Sequence, residues 1–125
     1  MNTRIITNNK MVSDKFKDEY TVELYEISYR DILIKVRDYI HEGYKLLSHP
    51  LSGSVKPNET PFKSILVSKE KGSLDFESLR IIEKSIEACD KFGPNRFHLT
   101  ESIIEDFMII DLSLISGALS ESTKV

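Results

Sequence analysis

Tryptophan is absent from this 125-residue chain, and cysteine occurs once, as Cys89. One thiol cannot close a disulfide within the chain, and it supplies neither a CxxC redox pair nor a cysteine-based zinc site. His41, His49 and His98 share no metal-ligand spacing, so no metal and no cofactor are expected. No apolar run is long enough to cross a bilayer. The best one, FMIIDLSLISGAL at residues 107–119, is short and broken by Asp111. Basic charge is not in excess either: Lys and Arg total 17 against 20 Asp and Glu, and the net charge is −3. With no basic patch, nucleic acid is a poor partner. The opening MNTRIITNNK lacks the apolar stretch of a secretion signal, which points to the cytoplasm. Nothing matches the GxxxxGK[ST] pattern of a nucleoside-triphosphate loop.

Proline is scarce, and its distribution is uneven. Three of the four prolines fall in HPLSGSVKPNETP, residues 49–61. Around that stretch the chain reads as one α/β domain over residues 1–125, with SESTKV at 120–125 as a frayed tail. Arg4–Thr7 predicts a first strand. Asn8 and Asn9 then turn the chain and cap a helix through Met11, Val12 and Phe16. YTVELYEI, from Tyr20, predicts a second strand.

SYRDILIKVRDYIHEG, from Ser28 to Gly43, is the clearest helix. Ser28 is its cap, and Tyr29, Ile32, Leu33, Val36 and Ile40 form one apolar stripe. YKLLSH and FKSILVSK predict strands three and four on either side of the proline-rich loop. After KGSLD, with Ser73 or Asp75 as cap, a helix places Leu79, Ile82, Ile86 and Cys89 on one face and stops at Gly93-Pro94. On this stripe Cys89 reads as a core residue rather than a redox centre.

The segment 103–119 fits two periods. As a helix capped by Ser102 with Glu105, it would share Phe107, Ile110, Leu114 and Ala118 on a face. As a strand, Met108, Ile110, Leu112 and Leu114 would alternate with polar residues. The helix is the favoured reading, and its surplus of apolar residues suggests burial on two sides, as in a two-fold homodimer.

Alternating strands and helices predict a three-layer domain around a mostly parallel four-stranded sheet. Right-handed crossovers give the order 2-1-3-4, with strand four free to run antiparallel at the edge. Ligands in such folds sit beyond the carboxyl ends of the strands, where the order reverses. That rule brings Asn8 and Asn9 together with the 49–61 loop. Within the loop, Ser52, Gly53 and Ser54 can form a nest of backbone N–H groups, with Lys56 and Asn58 beside it. The pattern suits a small anion: a phosphate, an acyl phosphate or a carboxylate. His49 is a candidate base, and Glu59 could pair with it or with Lys56. The plain structural alternative is an ordered loop whose hydroxyls satisfy its own backbone. Loops beyond ~12 residues in compact domains are commonly functional or disordered, and the interleaved Leu51, Val55 and Pro61 argue against disorder.

IITNN, LIKVRDYIHEGYKLLSHPLSGSVKPNETPFKSILVSK and EDFMIID resemble the GrdX family. These are small proteins encoded beside the glycine reductase system of amino-acid-fermenting anaerobic bacteria. The likeness runs from Arg4 to Leu119 and is densest over residues 46–68. It implies an accessory role in an anaerobic cytoplasm, near selenoprotein reductase components and thioredoxin partners. It brings no catalytic residue with it. Two functions follow as expectations: a binder of a small anionic ligand in the loop crevice, with catalysis left open, or an interaction factor for the reductase components that contacts them through its apolar C-terminal segment.

Overall fold

The computed structural model describes residues 2–51, 55–93 and 99–122. Its elements, in chain order, are β1 (Thr3–Thr7), α1 (Lys10–Phe16), β2 (Thr21–Leu24), α2 (Tyr29–His41), β3 (Ser64–Ser68), α3 (Phe76–Lys91) and α4 (Glu101–Ser122). Each of the first three helices starts where a short polar side chain can take an orphan backbone N–H. Asn9 accepts from Met11 N, Ser28 from Asp31 N, and Asp75 from Ser78 N. The expected caps Asn9 and Ser28 therefore hold, and Asp75 takes the role over Ser73.

The sheet departs from the expectation. It has three strands, not four, in the order β2-β1-β3, and it is mixed rather than mostly parallel. β1 pairs parallel with β2, Ile5 opposite Val22, and antiparallel with β3, Ile5 opposite Leu66. The expected fourth strand thus lies directly against β1. The expected third strand is displaced outward, where Leu46 makes a single antiparallel bridge to Val67.

Burial explains the exchange. β3 carries Ile65, Leu66 and Val67, all fully buried, so both its faces must be covered. Residues 44–49 alternate between half-buried and exposed, the pattern of an edge. Three serine hydroxyls also take N–H groups there that a regular ladder would give to carbonyls. Lys45 N bonds Ser68 Oγ, Leu46 N bonds Ser78 Oγ, and Leu66 N bonds Ser48 Oγ.

Alternating side chains send the sheet's apolar groups to two layers of helices. Ile6, Ile65 and Val67 face α2 and α3, packing with Ile32, Leu33, Val36, Ile40, Ile82 and Ile86. Ile5 and Leu66 face the other way, toward Val12 and Phe16 of α1 and Ile115 and Leu119 of α4. The expected stripe of α3 is present, with Leu79 and Cys89 half-buried at its margins.

The C-terminal segment is helical, which removes the strand alternative, and the helix runs on to Ser122, into the expected tail. Its start is capped by Thr100, whose Oγ1 accepts from Ile103 N, not by Ser102. Its inward face also differs from the expected one. Asp111, Ile115 and Leu119 are buried, whereas Ile110 and Leu114 stay exposed. Among the described residues no helix is long and apolar enough to cross a membrane.

α2 ends at Gly43, whose φ of +110° is closed to other residues at low cost. A Cβ there would collide with the carbonyl oxygen of Gly72, whose N–H donates to Gly43 O at 2.8 Å. Gly43→Ala is therefore expected to cost about 3 kcal/mol or more. In urea denaturation the midpoint should fall with the slope unchanged. A midpoint equal to wild type would contradict this account of the turn.

Candidate functional site

The carboxyl end of β1 is a knot of polar groups. Thr7 Oγ1 and Ser64 Oγ share a hydrogen bond at 2.6 Å, joining β1 to the start of β3. Asn9 N donates to Thr7 Oγ1 at 2.9 Å. Asp111 reaches in from α4: its Oδ1 accepts from Ser64 N at 3.1 Å, and its Oδ2 from Ser64 Oγ at 2.7 Å. Asn9 Nδ2 donates both to Asp111 Oδ2 and to Met108 O, each at 3.0 Å.

Asn9 is fully buried and Asp111 nearly so. Burial pushes the Asp111 carboxyl above the ordinary carboxylate range, against the pull of Ser64, Asn9 and Lys63. Lys63, also buried, is displaced the other way, because burial disfavours its ammonium and Asp111 only partly compensates.

Asn8 sits beside this knot and is fully engaged. Its Nδ2 donates to Ile27 O and Pro61 O, at 2.9 and 2.8 Å, and its Oδ1 accepts from Lys63 N at 2.8 Å. One side chain thus ties β1 to the segments entering α2 and β3. Above these three chain segments opens a cleft of about 590 Å³. Its walls are Asn8, Ile27 and the first residues of α2, then Pro57, Pro61 and Phe62 from the loop, and Cys89, Asp90 and Gly93 from the end of α3.

Because β3 is antiparallel, it presents its amino end here, alongside the carboxyl ends of β1 and β2. The cleft therefore lies at the carboxyl end of β1 and the entry to β3, not between β1 and residues 44–49 as expected, because those residues form no strand beside β1. The first turn of α2 adds backbone N–H groups that have no partner inside the helix.

Arg30, in that turn, grips Asp90 with two hydrogen bonds, Nε to Oδ1 at 2.6 Å and Nη2 to Oδ2 at 3.2 Å. The guanidinium holds the Asp90 carboxyl below its usual range, chiefly by hydrogen bonding. Burial pushes the Cys89 thiol up, Asp90 adds to this, and Arg30 opposes it. Cys89 thus lies on the cleft wall, set less deeply than the core position expected of it, with its thiol raised against ionisation.

The other expected site residues are dispersed. Ser52, Gly53 and Ser54, the centre of the anticipated anion nest, lie outside the described residues. Lys56 and Glu59 close a turn, Lys56 N donating to Glu59 Oε1 at 3.1 Å and Glu59 N to Lys56 O at 2.9 Å. Asn58 Nδ2 donates to Phe92 O at 3.1 Å, fastening the loop to the end of α3, while its Oδ1 is buried without a donor among the described residues. His49 is exposed and accepts from Leu51 N through Nδ1 at 3.1 Å. It borders a separate shallow groove with Arg80 and Lys84 of α3. Among the described residues no three His, Cys, Asp or Glu side chains are grouped to hold a metal ion.

Arg30, Asp90, Lys63 and Asp111 were not singled out as site residues from the sequence. The signal for Arg30 was present: it occupies the first turn of the helix that follows β2, at the same sheet edge as Asn8. Asp111 was visible as one carboxylate inside an apolar run.

The family model described as GrdX-like protein matches residues 4–120. Comparison with curated proteins and with solved structures returns no match.

Asp111→Asn is expected to destabilise the fold by about 1–3 kcal/mol, because in either orientation the amide nitrogen sets a donor against a donor, Ser64 N or Asn9 Nδ2. The pH dependence has a definite sign. With its folded pKa above the ordinary 3.8, Asp111 contributes stability that is fully present below pH 3.8. That contribution is lost as pH rises through the folded value. The stability margin of wild type over Asp111→Asn should therefore shrink as pH rises above 3.8 in urea titrations. A margin that grows with pH would mean the native carboxyl is depressed instead.

Proposed function

Because the chain belongs to the GrdX-like protein family, we propose that it is an accessory protein of the glycine, sarcosine and betaine reductase system that binds a small anion-bearing metabolite. The carrying observation is the cleft itself. Its volume falls in the ~300–1,000 Å³ range of metabolite sites, and it opens at the first turn of α2 with Arg30 on its wall. A phosphate, acyl phosphate or amino-acid carboxylate is the ligand class that such a helix start favours. Asp90 uses two of the five N–H donors of Arg30, so three remain for an incoming anion. Ile27, Phe62 and the prolines would cover the apolar part of the ligand and exclude water.

A second reading is favoured by a separate observation, the exposure of Ile103, Ile109, Ile110 and Leu114 on α4. In it the protein is an interaction factor for the reductase components, with no small-molecule site.

The test is a thermal-shift screen of glycine, sarcosine, betaine, acetyl phosphate and inorganic phosphate. A true ligand at about 100 times its Kd stabilises the native state by about 2.7 kcal/mol and raises the melting temperature. Arg30→Ala should weaken that ligand about tenfold or more, the scale of losing one hydrogen bond to a charged group. The ligand should also slow alkylation of Cys89. If a ligand binds but neither Arg30→Ala nor Cys89 alkylation responds, it binds elsewhere. If none of the five compounds shifts the melting temperature, the interaction-factor reading takes precedence.

A further inference from the structure

The wall of the cleft carries two charges, and they are of opposite sign. Among the described residues that line it, only Arg30 and Asp90 are charged. Arg30 stands in the first turn of α2 and Asp90 in the last turn of α3, so the pair bridges two helices at the rim. Their side chains are 49% and 52% exposed, and an ion pair that open adds little to a fold. The junction of the two helices does not rest on it. α2 and α3 share the core of Ile32, Leu33, Val36, Ile82 and Ile86, and Arg37 and Glu83 make a second ion pair between them.

Both members of the pair keep hydrogen-bonding capacity toward the cleft. Arg30 spends Nε and one Nη2 hydrogen on Asp90. Its remaining donors, two on Nη1 and one on Nη2, meet no acceptor among the described residues. Each Asp90 oxygen accepts one of those two bonds and has further lone-pair capacity, which no other donor among the described residues takes up. Their mutual hydrogen bonds raise the Arg30 pKa and lower that of Asp90, so both stay ionised. Asn8, by contrast, is already committed to Ile27, Pro61 and Lys63.

The free donors of Arg30 call for an anion, and the free lone pairs of Asp90 call for a charged N–H. A plain anion set against Arg30 meets the Asp90 carboxylate as a like charge. A plain amine set against Asp90 meets the guanidinium in the same way. A molecule with both charges satisfies both partners and leaves the site neutral. The two heads touch, at 2.6 and 3.2 Å, so the charges of the matching ligand must be neighbours too.

On the reading of the cleft as a ligand site, on which this step rests, we propose that it selects a zwitterion, an α-amino acid whose carboxylate binds Arg30 and whose ammonium binds Asp90. In an α-amino acid both charged groups sit on one carbon, which matches two protein charges in direct contact. Ile27, Pro57, Pro61 and Phe62 offer apolar wall to the side chain.

The experiment titrates the full chain with alanine, propionate, ethylamine, γ-aminobutyrate and inorganic phosphate. The Kd of each is read by NMR from the backbone amides of Tyr29, Arg30 and Asp90. Propionate is alanine without its ammonium, ethylamine is alanine without its carboxylate, and γ-aminobutyrate holds the same two charges apart. Alanine should bind about tenfold or more tightly than any of the others, the scale of one hydrogen bond to a charged group. Asp90→Asn should weaken alanine about tenfold without weakening propionate, because the amide keeps the shape of the carboxylate and loses its charge. Arg30→Ala should weaken both. The wild-type series is decisive by itself if either variant fails to fold. Propionate or phosphate binding as tightly as alanine, and weakened by Arg30→Ala, would overturn the zwitterion and leave the anion cleft standing. Equal binding of γ-aminobutyrate and alanine would count against adjacent charges and overturn the α-amino acid. If no compound binds, or none moves these amides, the cleft is not the ligand site and the proposal falls with it.

Discussion

One buried carboxylate holds the two halves of this structure in register. Among the described residues Asp111 is the only buried charged side chain of α4, and its two oxygens collect the N–H and hydroxyl of Ser64 and the amide of Asn9. Those partners come from the start of β3 and the cap of α1. A third element is drawn in through Thr7, which bonds both Ser64 and Asn9 N. Taking a carboxylate out of water is costly unless its lone pairs are met, and here most of them are. The rotation of α4 follows from that requirement. Rotated by one residue, the helix would bury Ile110 and leave the carboxylate in solvent, and Ser64 and Asn9 would keep donors with no acceptor.

The same anchoring fixes what lies on either side. Lys63 precedes Ser64, so pinning Ser64 sets the depth of the lysine in the shallow groove between Phe107, Ile110 and Leu114 of α4 and Val55, Thr60 and Phe62. Asn8 precedes Asn9, so pinning Asn9 sets the amide that joins Ile27 and Pro61 beneath the cleft. Tyr29 and Phe62 line both the cleft and the groove and form the wall between them. A polar interior contact therefore sets the shape of two surface depressions without forming part of either opening.

Much of the fold was legible in the sequence, and the departures have identifiable causes. α2 was clear because cap, stripe and terminating glycine agree: Ser28, the five apolar residues and Gly43 all act as their types predict. The order of the last two strands was missed because sequence order was taken for spatial order. The uninterrupted Ile65-Leu66-Val67 already favoured an interior position, and the alternation at residues 44–49 an edge. The face of α4 could not be read from periodicity, because Phe107, Ile110 and Leu114 are as apolar as Met108, Ile115 and Leu119. Only the distant partners of Asp111 decide between the two stripes. At the candidate site, the sheet edge was legible and its residents less so. Asn8 borders the cleft as a brace, while Arg30 reaches the cleft from the first turn of α2, outside the strand ends and the loop that the sheet rule points to.

The antiparallel insertion of β3 bears on how the chain assembles. β1 meets β2 across one short helix, but it meets β3 across about sixty residues, from Arg4 to Val67. Loop-closure entropy grows with that separation and opposes the pairing before any β1–β3 contact can offset it. The β1-α1-β2 unit is local, whereas the central slot beside β1 can be filled only after α2 has been laid down and the chain has turned back at Gly43. Residues 55–61, which lead into β3 and are held by Asn8 at Pro61, are fixed only once β3 is in place. The surfaces they border are thus completed late in folding, and a destabilised chain would lose them with the β1–β3 pairing, while its N-terminal unit still has its local contacts.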